Sequence, residues 1–92
     1  MIVYFLRAQG TDFVKIGSAS SIDIRINQLQ TGCPHTLVLF NSFEGGKNEE
    51  KAMHALFRDR KVKNEWFLFH EDMTQKNVAD YLIRRPLAPP ET

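Results

Sequence analysis

Two short runs rich in β-branched and aromatic residues, Ile2-Val3-Tyr4-Phe5-Leu6 and Phe13-Val14-Lys15-Ile16-Gly17, flank a polar segment that holds Gly10. Such a pair of runs commits the start of the chain to a β-hairpin. With Ala8 to Thr11 as a four-residue loop, Arg7 pairs with Asp12, Leu6 faces Phe13, Phe5 faces Val14 and Tyr4 faces Lys15. This register sets a phenol beside an ammonium group.

Beyond the hairpin, Ser18-Ala19-Ser20-Ser21 offers N-caps for a helix on which Ile22, Ile26 and Leu29 recur at i, i+4 and i+7, ending before Gly32-Cys33-Pro34. Arg25 falls on its first turns. Thr36 to Phe40 reads as a third strand continuing towards Phe43, closed by Gly45-Gly46. A second helix from Lys47 to about Arg58 carries Met53, Leu56 and Phe57 as its apolar stripe, flanked by Glu50 and His54 at i and i+4. Glu65 to Phe69 is too short for a helix and too apolar for a loop, so it is expected as an extended segment over the core. A last helix spans Thr74 to Arg84 on Val78, Tyr81 and Leu82. Pro86-Leu87-Ala88-Pro89-Pro90 cannot extend it, so residues 86–92 are expected to be a disordered tail behind one domain of residues 1–85. The expected fold is α+β, a three-stranded antiparallel sheet flanked by helices, with a ββαβα core and a C-terminal helix.

Ninety-two residues leave room for one core, in which seven Phe, one Trp and two Tyr supply much of the buried surface. One cysteine excludes an internal disulfide, and Cys33 with three scattered histidines shows no zinc-ligand spacing. The longest apolar runs fall far short of the roughly 20 residues of a membrane span, and no basic-then-apolar leader precedes them. The expectation is a cytoplasmic protein with no membrane partner. A formal net charge of +1 carries no global signature of nucleic-acid binding. Locally, Arg58-Asp59-Arg60-Lys61-Val62-Lys63 sets four cations against one acid; it reads as a solvated loop and as the main candidate for contact with phosphates.

Val3-Tyr4 on the first strand, Lys15-Ile16-Gly17 ending the second, and Arg25 eight residues beyond that glycine resemble the GIY-YIG nuclease superfamily. The likeness is to its small phage-type and meiotically up-regulated branch, whose second motif reads KIG. Gln30-Thr31-Gly32-Cys33-Pro34 looks like that branch's QTG-x-P turn, Glu50 to Phe57 like its E-x-x-L-H-x-x-F helix, and Glu65-Trp66-Phe67 like its EWF element. The resemblance covers about residues 2–69. Ile2 stands in place of the first motif's glycine, Lys15 in place of the second motif's first tyrosine, and Met53 where the branch has leucine. The late asparagine has only Asn64 as a counterpart.

The resemblance implies Mg²⁺- or Mn²⁺-dependent hydrolysis of DNA phosphodiesters, chemistry that needs a carboxylate for a hard cation, a base for water and positive charge on the phosphate. Glu50 matches the family's metal ligand, and Tyr4 its base. An ammonium within about 4 to 6 Å lowers a neighbouring acid's pKa by roughly 1 to 3 units, so Lys15 is expected to activate Tyr4; a desolvated, neutral Lys15 is the alternative base. Arg25 would hold the scissile phosphate, and His54 would orient it or protonate the leaving oxygen, unless Glu50 and His54 are only a surface pair. Helical spacing puts Glu49 nearer the apolar stripe than Glu50, which keeps Glu49 open as the ligand, and Glu65 is a further carboxylate. His35 and His70 read as surface, and Trp66, Phe67 and Phe69 as core. Arg58, Arg60, Lys61 and Lys63, with Arg84 and Arg85, are expected to contact the DNA backbone. Such a small set implies low intrinsic affinity, a homodimer or a partner protein. The rival expectations are a non-catalytic nucleic-acid-binding module and a protein-interaction domain.

Overall fold

The computed structural model describes residues 1–74. The expected helix over residues 74–84, the tail over residues 86–92 and the domain limit at residue 85 fall outside the described residues or run beyond them. Among the described residues the order is β1 (Ile2–Ala8), β2 (Phe13–Ala19), α1 (Ile22–Thr31), β3 (Leu37–Glu44), α2 (Lys47–Leu56), a 3₁₀ turn (Arg58–Arg60), β4 (Lys61–Lys63), β5 (Trp66–Leu68) and a second 3₁₀ turn (Glu71–Thr74). The fold is α+β, and its sheet has five strands rather than three, in the antiparallel order β3-β1-β2-β5-β4.

The run Ile2 to Leu6 has no polar face because β1 needs none. It is paired on one edge with β2 and on the other with β3, and both of its faces are covered. Val3 and Phe5 join Val14, Ile16, Met53, Phe57 and Phe67 on the α2 side. Tyr4, Leu6 and Ala8 join Ala19 and Leu37 on the other side, under Ile22, Ile26 and Leu29 of α1. Alternation along a strand thus feeds two separate apolar layers. Where β3 crosses β1, the register slips between Phe5 and Leu6, leaving Phe40 as an extra residue that packs on the α2-side layer.

The hairpin closes two residues further along than the sequence suggests. Arg7 pairs with Val14, Leu6 with Lys15, Phe5 with Ile16 and Tyr4 with Gly17. The loop is Gln9 to Asp12, because Ala8 is buried at 3% exposure and stays in the strand opposite Leu37. Asp12 is drawn out of the ladder instead, its Oδ1 accepting from Arg7 Nη2 at 2.8 Å, while Thr11 Oγ1 donates to the Ala8 carbonyl at 2.7 Å. Moving the loop by one residue shifts every pair by two. Faces are kept, but Tyr4 now stands opposite Gly17 and not Lys15.

The helices begin at the expected polar residues. Ser21 Oγ accepts from the Ile24 amide of α1, and at the other end the Gln30 side chain donates to the His35 carbonyl and accepts from the Leu37 amide, both at 2.8 Å. Gln30 therefore staples the end of α1 to the start of β3. Helix α2 stops at Leu56, two residues early. The basic stretch after it is no loop: Arg58–Arg60 forms a 3₁₀ turn and Lys61–Lys63 an edge strand against β5. Glu65 to Phe69 is extended as expected, with Trp66–Leu68 joining the sheet beside β2.

Gly17 is required by packing. A Cβ there would lie 2.7 Å from Tyr4 Cζ and closer still to the hydroxyl oxygen. Tyr4 itself is 1% exposed and has no room to retreat. Gly17→Ala is therefore expected to destabilise the fold by about 1–3 kcal/mol through overpacking. Chemical denaturation of Gly17→Ala against Tyr4→Leu/Gly17→Ala checks this, because truncating the ring should restore part of the loss.

Candidate functional site

Three consecutive residues of β2 organise the site. The Ile16 carbonyl faces His54 Nε2 at 2.9 Å, Gly17 lies under the Tyr4 ring, and Ser18 Oγ donates to Glu50 Oε1 at 2.5 Å. Tyr4 belongs to the α1-side layer and Ser18 to the opposite face, so the candidate residues reach β2 from both sides of the sheet.

Glu50 is a buried carboxylate at 6% exposure on an otherwise apolar helix face. It lies three residues before Met53 and seven before Phe57, both buried, which turns it inward. Leu56 is only partly buried; counting it equally with those two rotates the apparent stripe towards Glu49. Glu49 is exposed, and its Oε1 accepts from the Gly46 amide at 2.8 Å, capping α2. Around Glu50 the second oxygen, Oε2, lies 3.6 Å from His54 Nε2, and Lys47 Nζ is 3.8 Å from Oε1. A carbonyl oxygen only accepts, so His54 Nε2 carries the proton it donates to Ile16. The imidazole also packs edge-on against Phe67, with ring centroids 5.0 Å apart. His54 is thus fixed between α2 and β2.

The charge beside Tyr4 is not the expected one. Burial pushes the phenol pKa above its ordinary 10.0, and the charges of Glu65 and Glu50 act in the same direction. The opposing cation is Arg25, half-buried on α1, which lowers the value through its charge and through side-chain hydrogen bonding. Desolvation is the largest effect, so the phenol stays protonated at neutral pH. Lys15, the expected activator, is displaced from Tyr4 by the two-residue register shift. Its Nζ pairs with Glu65 Oε1 at 3.2 Å and lies 5.5 Å from the centre of the Trp66 ring.

Arg58, Arg60, Lys61 and Lys63 are all exposed along the sheet edge formed by the 3₁₀ turn and β4. They lie two strands from β2, roughly 10 Å in sheet spacing. The structure thus groups Tyr4, Arg25, Glu50 and His54 around the end of β2 and leaves the basic residues on a separate edge. Two residues were not foreseen in the sequence. Ser18 holds Glu50, and its signal was a lone hydroxyl directly after the Lys-Ile-Gly triplet; Gln30 holds β3, and its signal lay in the Gln-Thr-Gly turn. His35 is exposed as expected, whereas His70 is half-buried beside Phe57, with ring centroids 6.3 Å apart. Trp66 is half-buried rather than fully in the core, and Phe67 is buried.

No group of three or more His, Cys, Asp or Glu residues placed to hold a metal occurs among the described residues. No described helix is long and apolar enough to cross a membrane. No curated protein and no solved structure matches the chain. A family model does, over residues 1–84, which spans both helices, the whole sheet and every residue of the site. With more than nine-tenths of its length matched, the chain belongs to the T5orf172 domain family.

Proposed function

We propose that this domain is a divalent-metal-dependent endonuclease of GIY-YIG type that hydrolyses DNA phosphodiester bonds. The observation that carries the reading is the meeting of a buried phenol, a guanidinium and a buried carboxylate at the end of β2, in a chain of a phage-associated family found in nuclease contexts. Buried charge without an apolar alternative costs stability and marks functional sites.

The donor set suits a hard cation. Mg²⁺ is bound through one or two carboxylates and keeps several waters, and Glu50 offers one carboxylate already oriented by Ser18. When bound, such an ion supplies positive charge against the phosphate oxygens. Arg25 holds the scissile phosphate, because its planar fork suits two phosphate oxygens at once. Ser18 donates to Glu50 and His54 lies beside it; with its Nε2 proton committed to the Ile16 carbonyl, His54 is a positioning residue, and the leaving oxygen takes its proton from water. Tyr4 is the general base. In the free protein it is protonated, and a phosphate-bound Arg25 leaves it further from ionisation. Lys15 shields Glu65, a carboxylate that would raise the phenol pKa further if left unpaired. The exposed cations from Arg58 to Lys63 contact the DNA backbone, with affinity that falls steeply in salt. A second reading, a nucleic-acid-binding module without turnover, is favoured by the same protonated phenol.

Supercoiled plasmid incubated with the purified chain in Mg²⁺, Mn²⁺ or EDTA tests the proposal. Metal-dependent cleavage is expected, lost in Arg25→Ala and Glu50→Ala, with Glu50→Ala keeping DNA binding. Binding without cleavage by the wild type would move the assignment to the second reading.

Tyr4→Phe is expected to lower cleavage by about a hundredfold or more. Because the folded phenol titrates above 10.0, the ionised fraction rises by about tenfold per pH unit through neutral and mildly alkaline pH. The wild-type rate should climb in step and show no plateau below pH 10.0, and Tyr4→Phe should flatten the profile. A wild-type profile already flat at neutral pH would remove Tyr4 as the base.

A further inference from the structure

We propose that the open cleft between the start of β2 and β4 is a nucleobase-binding subsite, which takes one unpaired base of the strand whose phosphate sits at Arg25. The inference rests on the nucleic-acid reading above and extends it to a part of the surface that the catalytic residues do not use. The cleft has a volume of about 340 Å³, and Phe13, His35, Val62, Lys63 and Trp66 are among the residues that line it. That volume lies within the range of small-ligand sites.

The wall chemistry selects the occupant. Phe13 is 43% and Val62 50% exposed, so apolar surface is left open, while the indole and imidazole add further flat faces. Flat aromatic walls beside cations are how proteins hold successive bases of a single strand, since every base has a stacking face whatever its sequence. The surroundings are complementary to a polyanion: Lys63 lines the cleft and belongs to the stretch in which Arg58, Arg60 and Lys61 are opposed only by Asp59. An uncharged lipid or a neutral apolar peptide gains nothing from that charge.

Position ties the cleft to the site. Phe13, Lys15 and Gly17 alternate onto the same face of β2, so the cleft and the Tyr4 phenol over Gly17 are four residues apart, about 13 Å along the strand. Lys15 lies between them, its ammonium 5.5 Å from the Trp66 ring centre. A single strand leaving the cleft along this face of β2 passes from the stacking wall to Lys15 and on to Arg25, the half-buried guanidinium beside the buried phenol. A paired base inside a duplex cannot reach such a wall, so the occupant is unpaired or extruded.

Trp66 is the single tryptophan of the chain, and its fluorescence reports directly on the cleft. The full chain is titrated in EDTA with a thymidine oligonucleotide and with an abasic oligonucleotide of the same length, which has the same phosphates and no bases. The thymidine oligomer is expected to quench Trp66 emission and to bind about tenfold or more tighter than the abasic one. Phe13→Ser and Val62→Ala, both at exposed positions, should erode that preference while leaving thermal melting and abasic affinity close to wild type. Equal binding of the two oligomers without quenching, or an undiminished preference in both variants, overturns the subsite and leaves the nucleic-acid reading standing. Failure of both oligomers to bind overturns the subsite and that reading together.

Discussion

Every other element depends on β1 being buried on all sides. A strand that gives its backbone to two neighbours and its side chains to two apolar layers has no polar position to spare, and Val3, Tyr4, Phe5 and Leu6 are each at most 1% exposed. Burying a large apolar side chain contributes about 1.5–3 kcal/mol before entropic costs, so this one strand anchors both layers. Helices α1 and α2 are then fixed on opposite faces by what β1 and β2 present to each. Because α1 carries Arg25 and α2 carries Glu50, the two charged candidates arrive from opposite sides. Both bear on the Tyr4 phenol, at the place where β2 lacks a side chain.

That gap is Gly17. Its missing Cβ lets the Tyr4 ring lie on the sheet, and the residues on either side of it anchor His54 and Glu50. The same closeness sets the electrostatics. A phenol taken out of water is held neutral, and the one cation that opposes this, Arg25, is outweighed by desolvation together with two carboxylates. A chemical role for Tyr4 is therefore tied to pH and to whatever charge the ligand brings, and is not built into the free protein.

The charge balance of the chain hides a local division. A net charge of +1 is compatible with a nearly neutral surface, yet four cations are concentrated on the β4 edge while Glu50 and Glu65 stand near the phenol. The basic residues and the apolar cleft beside them lie on one side of β2, and the carboxylate on α2 lies on the other. The proposed binding surface and the proposed chemistry thus fall on different parts of one small sheet.

Much of the fold was legible because local pattern and tertiary placement agree. The β-branched and aromatic runs became β1, β2, β3 and β5; Ser21 and Gly46 mark the starts of the helices; and Met53 and Phe57 point into the core. The grouping of Tyr4, Arg25, Glu50 and His54 was legible only through a family resemblance in their spacing. Periodicity alone left Glu49 and Glu50 unresolved, because Leu56 weighs the same as Met53 in a pattern and less in a core. Lys61–Lys63 was unreadable as a strand, since an edge strand with every side chain exposed has no apolar alternation to show. What the sequence determined by itself is which residues are strand, helix and core, since those follow from side-chain shape and the period of hydrophobicity. What only the tertiary structure decided is which cation meets the Tyr4 phenol. That depended on burying Ala8 and releasing Asp12 to the loop, a choice made by packing against β3 that moved Lys15 away and left Arg25 in its place.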